Sequence, residues 1–195
     1  MFRPIVISII SLASCTALFG QTTNNLDPGG PGLDAHWPSA AKNGFGTSNT
    51  LASKVWFTLN NGVLTEVYYP TLDVPNVQTL QFVLVSRDGK RIETEAEDME
   101  HRVEVLDAAA LTFRQINTAK SGAYTITKTY VTDPQRSSVL IDVNFRWNRA
   151  DLFEGALYVY YDPSLNNSGM NDSAWSDGAW LVAAVGLDMA GRRRN

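Results

Sequence analysis

Between Ser138 and Trp147 apolar residues recur at every second position. Val139, Ile141, Val143, Phe145 and Trp147 fall on one side, and Asp142, Asn144 and Arg146 fall on the other. A period of two over ten residues describes a strand with one buried face and one wet face; a helix would scatter the same residues around its axis. Tyr124, Ile126, Lys128 and Tyr130 alternate with Thr125, Thr127 and Thr129 in the same way. Nowhere does a helical period hold over three turns. The acidic stretch Glu93 to Glu104 comes nearest, and it reads as a solvated bend or an edge strand.

Turn chemistry links these strands into hairpins. Lys54 to Leu59 and Val63 to Tyr69 flank Asn60-Asn61-Gly62, and Asn-Gly supplies the two positive-φ residues that a tight hairpin turn requires. Gln78 to Ser86 and Arg91 to Ala96 flank Asp88-Gly89 in the same manner. His101 to Leu106, Leu111 to Asn117, Leu157 to Tyr161 and Trp180 to Val185 continue the series. Short strands at regular intervals with turn residues between them predict an all-β antiparallel sandwich.

The N-terminus has a different character. Met1-Phe2-Arg3, the apolar run Pro4 to Leu12 and a small-residue stretch read as an export signal, too short to remain as a membrane span. Two cleavage schemes fit. Leu12-Ala13-Ser14-Cys15 resembles a lipobox that would leave Cys15 lipidated, whereas a cut after Ala17 or Gly20 would release a soluble product. Cys15 is the chain's single cysteine, so a disulfide within one chain is excluded. The boundaries that follow are residues 1–20 for the signal, 21–50 for an irregular covering segment anchored by Trp37 and Phe45, 51–190 for the sandwich, and 191–195 for a basic tail.

A net charge of −4 gives no electrostatic pull toward nucleic acid or anionic lipid. Glycoside hydrolysis by inversion needs two carboxylates roughly 6.5–9.5 Å apart. The acidic candidates are Glu66, Asp73, Asp162, Asp172 and Asp177. Asp73 and Asp162 sit beside turn prolines, Asp172 and Asp177 lie in a polar loop, and Glu66 falls in mid-strand, where a wet-face glutamate is the ordinary reading. No catalytic pair is expected among them. His36 and His101 lack neighbouring metal ligands. The oxygen-rich loop Asp162 to Asp172 suits Ca²⁺ only loosely, because its spacing does not follow the EF-hand, and it reads first as a hydrogen-bonded loop. Trp175, Tyr160 and Trp180 are the rings best placed to stack on a sugar, with Trp175 expected to be exposed in the polar loop.

Three segments in fixed order carry a more specific signal. Asn43-Gly-Phe-Gly-Thr-Ser48, Ser53-Lys-Val-Trp-Phe-Thr58 and Leu64-Thr-Glu-Val-Tyr-Tyr-Pro70 resemble the opening of the glucodextranase/bacterial glucoamylase N-terminal domain, and Leu157-Tyr-Val-Tyr-Tyr-Asp-Pro163 resembles a later part of it. The resemblance runs from about Trp37 to Val185. It implies a super-β-sandwich of the galactose mutarotase-like type, packed against a separate (α/α)₆ barrel that hydrolyses α-glucosidic bonds with two glutamates of its own. Neither glutamate is found here, and no catalytic residue is carried over. By resemblance, Phe45, Glu66, Tyr68 and Tyr69 lie near the barrel-facing side. The family's sandwich continues beyond this stretch, which predicts an unpaired sheet edge and an uncovered apolar face.

Overall fold

The computed structural model describes residues 37–176 and 179–185, and the backbone of residues 5–10. The signal-cleavage region, His36, Asp177 and the basic tail lie outside the described residues. Thirteen strands are described: β1 (Ile5–Ile10), β2 (Gly44–Thr47), β3 (Trp56–Asn60), β4 (Val63–Tyr68), β5 (Pro75–Ser86), β6 (Ile92–Thr94), β7 (Met99–Asp107), β8 (Thr112–Ala119), β9 (Tyr124–Thr132), β10 (Ser138–Trp147), β11 (Gly155–Pro163), β12 (Asp172–Ser176) and β13 (Leu181–Val185). One short helix, α1 (Glu95–Asp98), interrupts them.

All pairings are antiparallel, and two large sheets result. The first runs β1-β10-β9-β8-β7, the second β11-β5-β4-β3-β2 with β6 also on β5, and β12-β13 form a separate hairpin. The predicted Asn61-Gly62 turn joins β3 to β4, with φ of 47° and 77°. The Asp88-Gly89 turn joins β5 to β6.

The core lies between the large sheets. Phe57, Leu59, Leu64, Phe82 and Leu84 face Phe113, Tyr124, Ile126, Tyr130, Val139 and Ile141, all essentially inaccessible. Phe57 stacks on Tyr130 with centroids 5.8 Å apart and meets Phe113 edge-on at 6.3 Å. Burying each such side chain contributes about 1.5–3 kcal/mol, which carries the stability of a domain with no disulfide.

β2 explains the Gly44-Phe45-Gly46 motif. Its glycines turn inward, where a Cβ on Gly46 would lie 2.2 Å from the Phe57 ring. Phe45 turns outward and is 43% exposed, so it is not the anchor its apolar character suggested. Glycine is required here because the β2 backbone rests directly on a core ring.

The acidic stretch is an edge strand only in its second half: Met99 to Glu104 lie on β7, the last strand of the first sheet, with Glu100 exposed, whereas Glu93 and Glu95 before it are buried. Thr94 caps α1 by accepting from the Glu97 amide at 3.3 Å, and the Asp98 carboxylate accepts from the Thr94 amide at 2.7 Å. That turn drives Glu95 into the core, where it is 0% exposed. There its carboxylate meets Lys128 Nζ at 2.7 Å, the Phe82 amide at 2.7 Å and the Asn117 amide group. Lys128 Nζ also donates to the Gly62 carbonyl at 2.8 Å, and Asn117 Nδ2 does so at 2.7 Å. A buried polar layer thus ties the tip of the β3–β4 hairpin to the opposite sheet. Both Glu95 carboxylate oxygens and the Gly62 carbonyl are hydrogen-bonded, as buried polar groups require, whereas Nε2 of Gln115 opposite Lys128 has no partner.

One side of the first sheet is closed by β1, which pairs with β10 from Ile5↔Val143 to Ile10↔Ser138, while β7, β2 and β11 each pair on one side only among the described residues. Apolar surface is left at the other sheet's margin, where Val159 on β11 is 37% exposed.

Candidate functional site: the outward face of the second sheet

A β-bulge organises this face. Phe57 pairs with Val67 and Leu59 with Leu64, so Thr65 and Glu66 together oppose Thr58. The extra residue turns Glu66 toward Thr58. The Glu66 amide donates to Thr58 Oγ1 at 3.1 Å, and Thr58 Oγ1 and Thr65 Oγ1 lie 2.7 Å apart. The Thr58 hydroxyl also bonds the Glu66 carboxylate, and Lys42 Nζ reaches both carboxylate oxygens at 2.7 Å.

Glu66 is therefore not on a wet face. Its residue exposure is 3%, because Lys42 and the covering segment close over it. A carboxylate held by an ammonium and a hydroxyl is a structural tie. Its two oxygens are bridged by Lys42, and one of them also accepts from Thr58.

Register places further side chains on this face. Phe45 pairs with Thr58 and Trp56 with Tyr68, so Phe45, Thr58, Trp56 and Tyr68 point the same way. Tyr158 and Tyr160 on β11, opposite Val83 and Gln81, extend the face across β5. Phe45, Tyr158 and Tyr160 are 43%, 55% and 48% exposed. Burial, and then the Glu66 charge, hold the Tyr68 phenol above its ordinary pKa. Tyr69 lies just past β4, where its amide donates to the Val74 carbonyl at 3.0 Å and its carbonyl accepts from Asn76 Nδ2 at 2.8 Å. Phe45, Glu66 and Tyr68, grouped by the family resemblance, share this sheet face, and Lys42 and Thr58, which no sequence motif marked, join them through the bulge.

Asp73, Asp162 and Asp172 are the remaining acidic candidates among the described residues. Asp73 is exposed, and a Thr71 hydrogen bond lowers its pKa. The loop from Asp162 to Asp172 is hydrogen-bonded to the start of β5: the Asn166 amide donates to Asn76 Oδ1 at 2.9 Å, and the Ser164 amide donates to the Asn76 carbonyl at 3.1 Å. Asn166, Asn167 and Asn171 take positive φ values of 56°, 60° and 62°, which asparagine tolerates. Among the described residues, no three acidic, histidine or cysteine side chains group to hold a metal ion.

Asp172 closes the loop by accepting from the Leu165 amide at 2.9 Å. Burial pushes its carboxyl up to about 6, against that hydrogen bond and with help from the Asp162 charge. Burial raises Asp162 as well, opposed by the Tyr160 hydroxyl. The folded state thus holds the Asp172 proton more tightly than the unfolded chain does. Its contribution to stability is present at about pH 4 and is lost as pH rises toward 6. Asp172→Asn is expected to flatten that segment of the melting temperature against pH curve. An unchanged slope would remove Asp172 as its cause.

Of the three sugar-stacking candidates, Tyr160 sits on the outward face described above. Trp175 lies in β12 opposite Val182 and is half-buried, not exposed in a loop. Trp180 immediately precedes β13 and is 52% exposed.

The comparisons with known proteins agree with this fold. The family model described as "Glucodextranase, domain N" matches residues 27–190. A glucoamylase of Clostridium sp. (strain G0005) is 40% identical over 141 residues, which is 72% of this chain and 20% of that protein. A crystal structure of a bacterial glucoamylase complexed with acarbose superposes with a TM-score of 0.67 and 30% identity, over 94% of this chain and 26% of that one. This chain spans about a fifth to a quarter of the length of these relatives. It belongs to the glucodextranase domain N family.

Proposed function

We propose that this chain is the non-catalytic N-terminal sandwich of an exported α-glucan hydrolase of the glucoamylase type, and that it supports a separate catalytic (α/α)₆ barrel. The contact runs over the outward face that carries Phe45, Glu66, Tyr68 and Tyr69. The observation that carries the reading is the pairing of a closed structural carboxylate with half-exposed aromatic rings on a single sheet face. Such a face suits a domain interface: apolar rings supply burial, and the Glu66–Lys42 tie keeps the strands beneath them in register. Residues 1–20 act as the export signal, with lipidation at Cys15 as the competing outcome of processing. No described helix is long and apolar enough to cross a membrane.

The test is a chimera in which residues 27–190 replace the matching part of the Clostridium relative. This chain alone is expected to release no glucose from maltose, starch or dextran, while the chimera hydrolyses them. Phe45→Asp is expected to lower the chimera's melting temperature by several degrees and leave the isolated chain's unchanged. Turnover by the pure chain, or an equal loss in both settings, would overturn the assignment. Sugar contact at Tyr160, Trp175 and Trp180 is a subsidiary reading, checked by retardation of the same chain in starch gels.

A further inference from the structure

Asn117 on β8 and Lys128 on the adjacent strand β9 are both 0% exposed. Register pairs Gln115 with Lys128 and Asn117 with Ile126, so the lysine and the asparagine are diagonal neighbours on the inward face. Their nitrogens share two partners. Lys128 Nζ and Asn117 Nδ2 donate to the Gly62 carbonyl at 2.8 and 2.7 Å, and each also donates to one oxygen of Glu95. Asn117 uses both amide hydrogens in this way, which leaves its Oδ1 as an acceptor. His101 Nδ1 lies 3.2 Å from that oxygen and therefore carries the proton. A primary amine is thus held beside a carboxamide, with a carboxylate touching both nitrogens and an N–H donating to the carbonyl oxygen. Burial lowers the Lys128 pKa, which increases the share of free amine.

We propose that Lys128 and Asn117 form an intramolecular amide bond, with Glu95 as proton carrier and His101 as donor to the carbonyl oxygen. Glu95 takes a proton from the ammonium, and the free Lys128 amine attacks Asn117 Cγ. The carbonyl electron pair moves onto Oδ1, where the His101 N–H stabilises the charge. Glu95 passes its proton to Nδ2 and accepts the second proton from Nζ. The Cγ–Nδ2 bond breaks, the carbonyl reforms and ammonia leaves. The step needs no oxidant, reductant or cofactor. Two buried charges become a neutral amide and a neutral carboxylic acid, which removes the desolvation cost of the ion pair. The ion pair described above is the state before this reaction. The inference stands apart from the hydrolase assignment, since it concerns only the interior of the sandwich.

Tryptic mapping by mass spectrometry tests it, on the purified full chain after prolonged warming below its melting temperature. A lysine joined to Asn117 resists trypsin, so residues 115–120 are expected linked to residues 121–136, at a mass about 17 Da below the sum of the two peptides. Lys128→Arg keeps a cation without an attacking amine, and is expected to give neither the linked peptide nor the mass loss. Glu95→Gln, where circular dichroism shows it folded, is expected to slow linkage about a hundredfold or more. Complete cleavage after Lys128 in the parent chain would overturn the proposal, whatever the variants do. So would the same mass loss with Lys128 still cleaved, because Asn117 has then cyclised onto its own backbone. Linkage at an unchanged rate in folded Glu95→Gln would overturn the role of the carboxylate and the mechanism with it. Mass also separates linked from unlinked protein, so the stability of the ion pair is measured on the unlinked form.

Discussion

Lys128→Met is expected to cost about 3–5 kcal/mol of folding stability, because it leaves the Glu95 carboxylate buried without its counter-ion. Both side chains are 0% exposed and their charged atoms lie 2.7 Å apart. Burial lowers the Lys128 pKa, and the Glu95 charge and hydrogen bond oppose that fall. Glu95→Gln keeps the acceptor for the Phe82 amide but strands the ammonium, so it destabilises by a different route. There the lysine binds protons less readily when folded than when unfolded, and the stability of Glu95→Gln should rise as pH increases toward the unfolded lysine pKa. The double variant, Lys128→Met with Glu95→Gln, removes both charges and retains the amide acceptor. It should recover about 2 kcal/mol or more relative to the sum of the single costs. Urea unfolding at several pH values measures all three. A Lys128→Met variant within about 1 kcal/mol of the parent would show that water reaches the pair and that the layer is not sealed.

The alternation in β9 grouped Lys128 with Tyr124, Ile126 and Tyr130, so its inward position was legible in the sequence. Its partner was not. Glu95 stands among acidic neighbours that make the segment look wet, and only the Thr94 cap and the four-residue helix turn it inward. Glu66 was misjudged for a similar reason. A straight strand at period two has a wet face, but here a bulge and a long-range lysine from the covering segment bury it. Phe45 fails in the opposite sense: flanking glycines look permissive, yet they are fixed by the Phe57 ring, and the aromatic is left outside. The hairpins were easier to read. Asn61-Gly62 and Asp88-Gly89 encode their turns locally, whereas the ion pairs Lys42–Glu66 and Lys128–Glu95 join residues 24 and 33 positions apart. The site face was legible as a group of residues through the family resemblance, and its chemistry only through the structure.

The same polar layer makes Gly62→Ala expensive. At φ +77°, a Cβ costs about 1–2 kcal/mol through its clash with the following carbonyl. It would also fall 2.2 Å from His101 Nδ1, and that ring is held by a 3.2 Å hydrogen bond to Asn117 Oδ1. Displacing the ring gives up that bond, about 1 kcal/mol, and disturbs the Asn117 amide that caps the Gly62 carbonyl. The total comes to about 2–3 kcal/mol, with faster opening of the β3–β4 hairpin. A double-mutant cycle separates the two parts. In a His101→Ala background the steric contact is gone, and Gly62→Ala should then cost only the backbone share. A coupling of about 1 kcal/mol would place the hairpin tip against the β7 histidine as described. Equal costs in both backgrounds would mean that the turn's backbone alone selects glycine, with the opposite sheet indifferent to it.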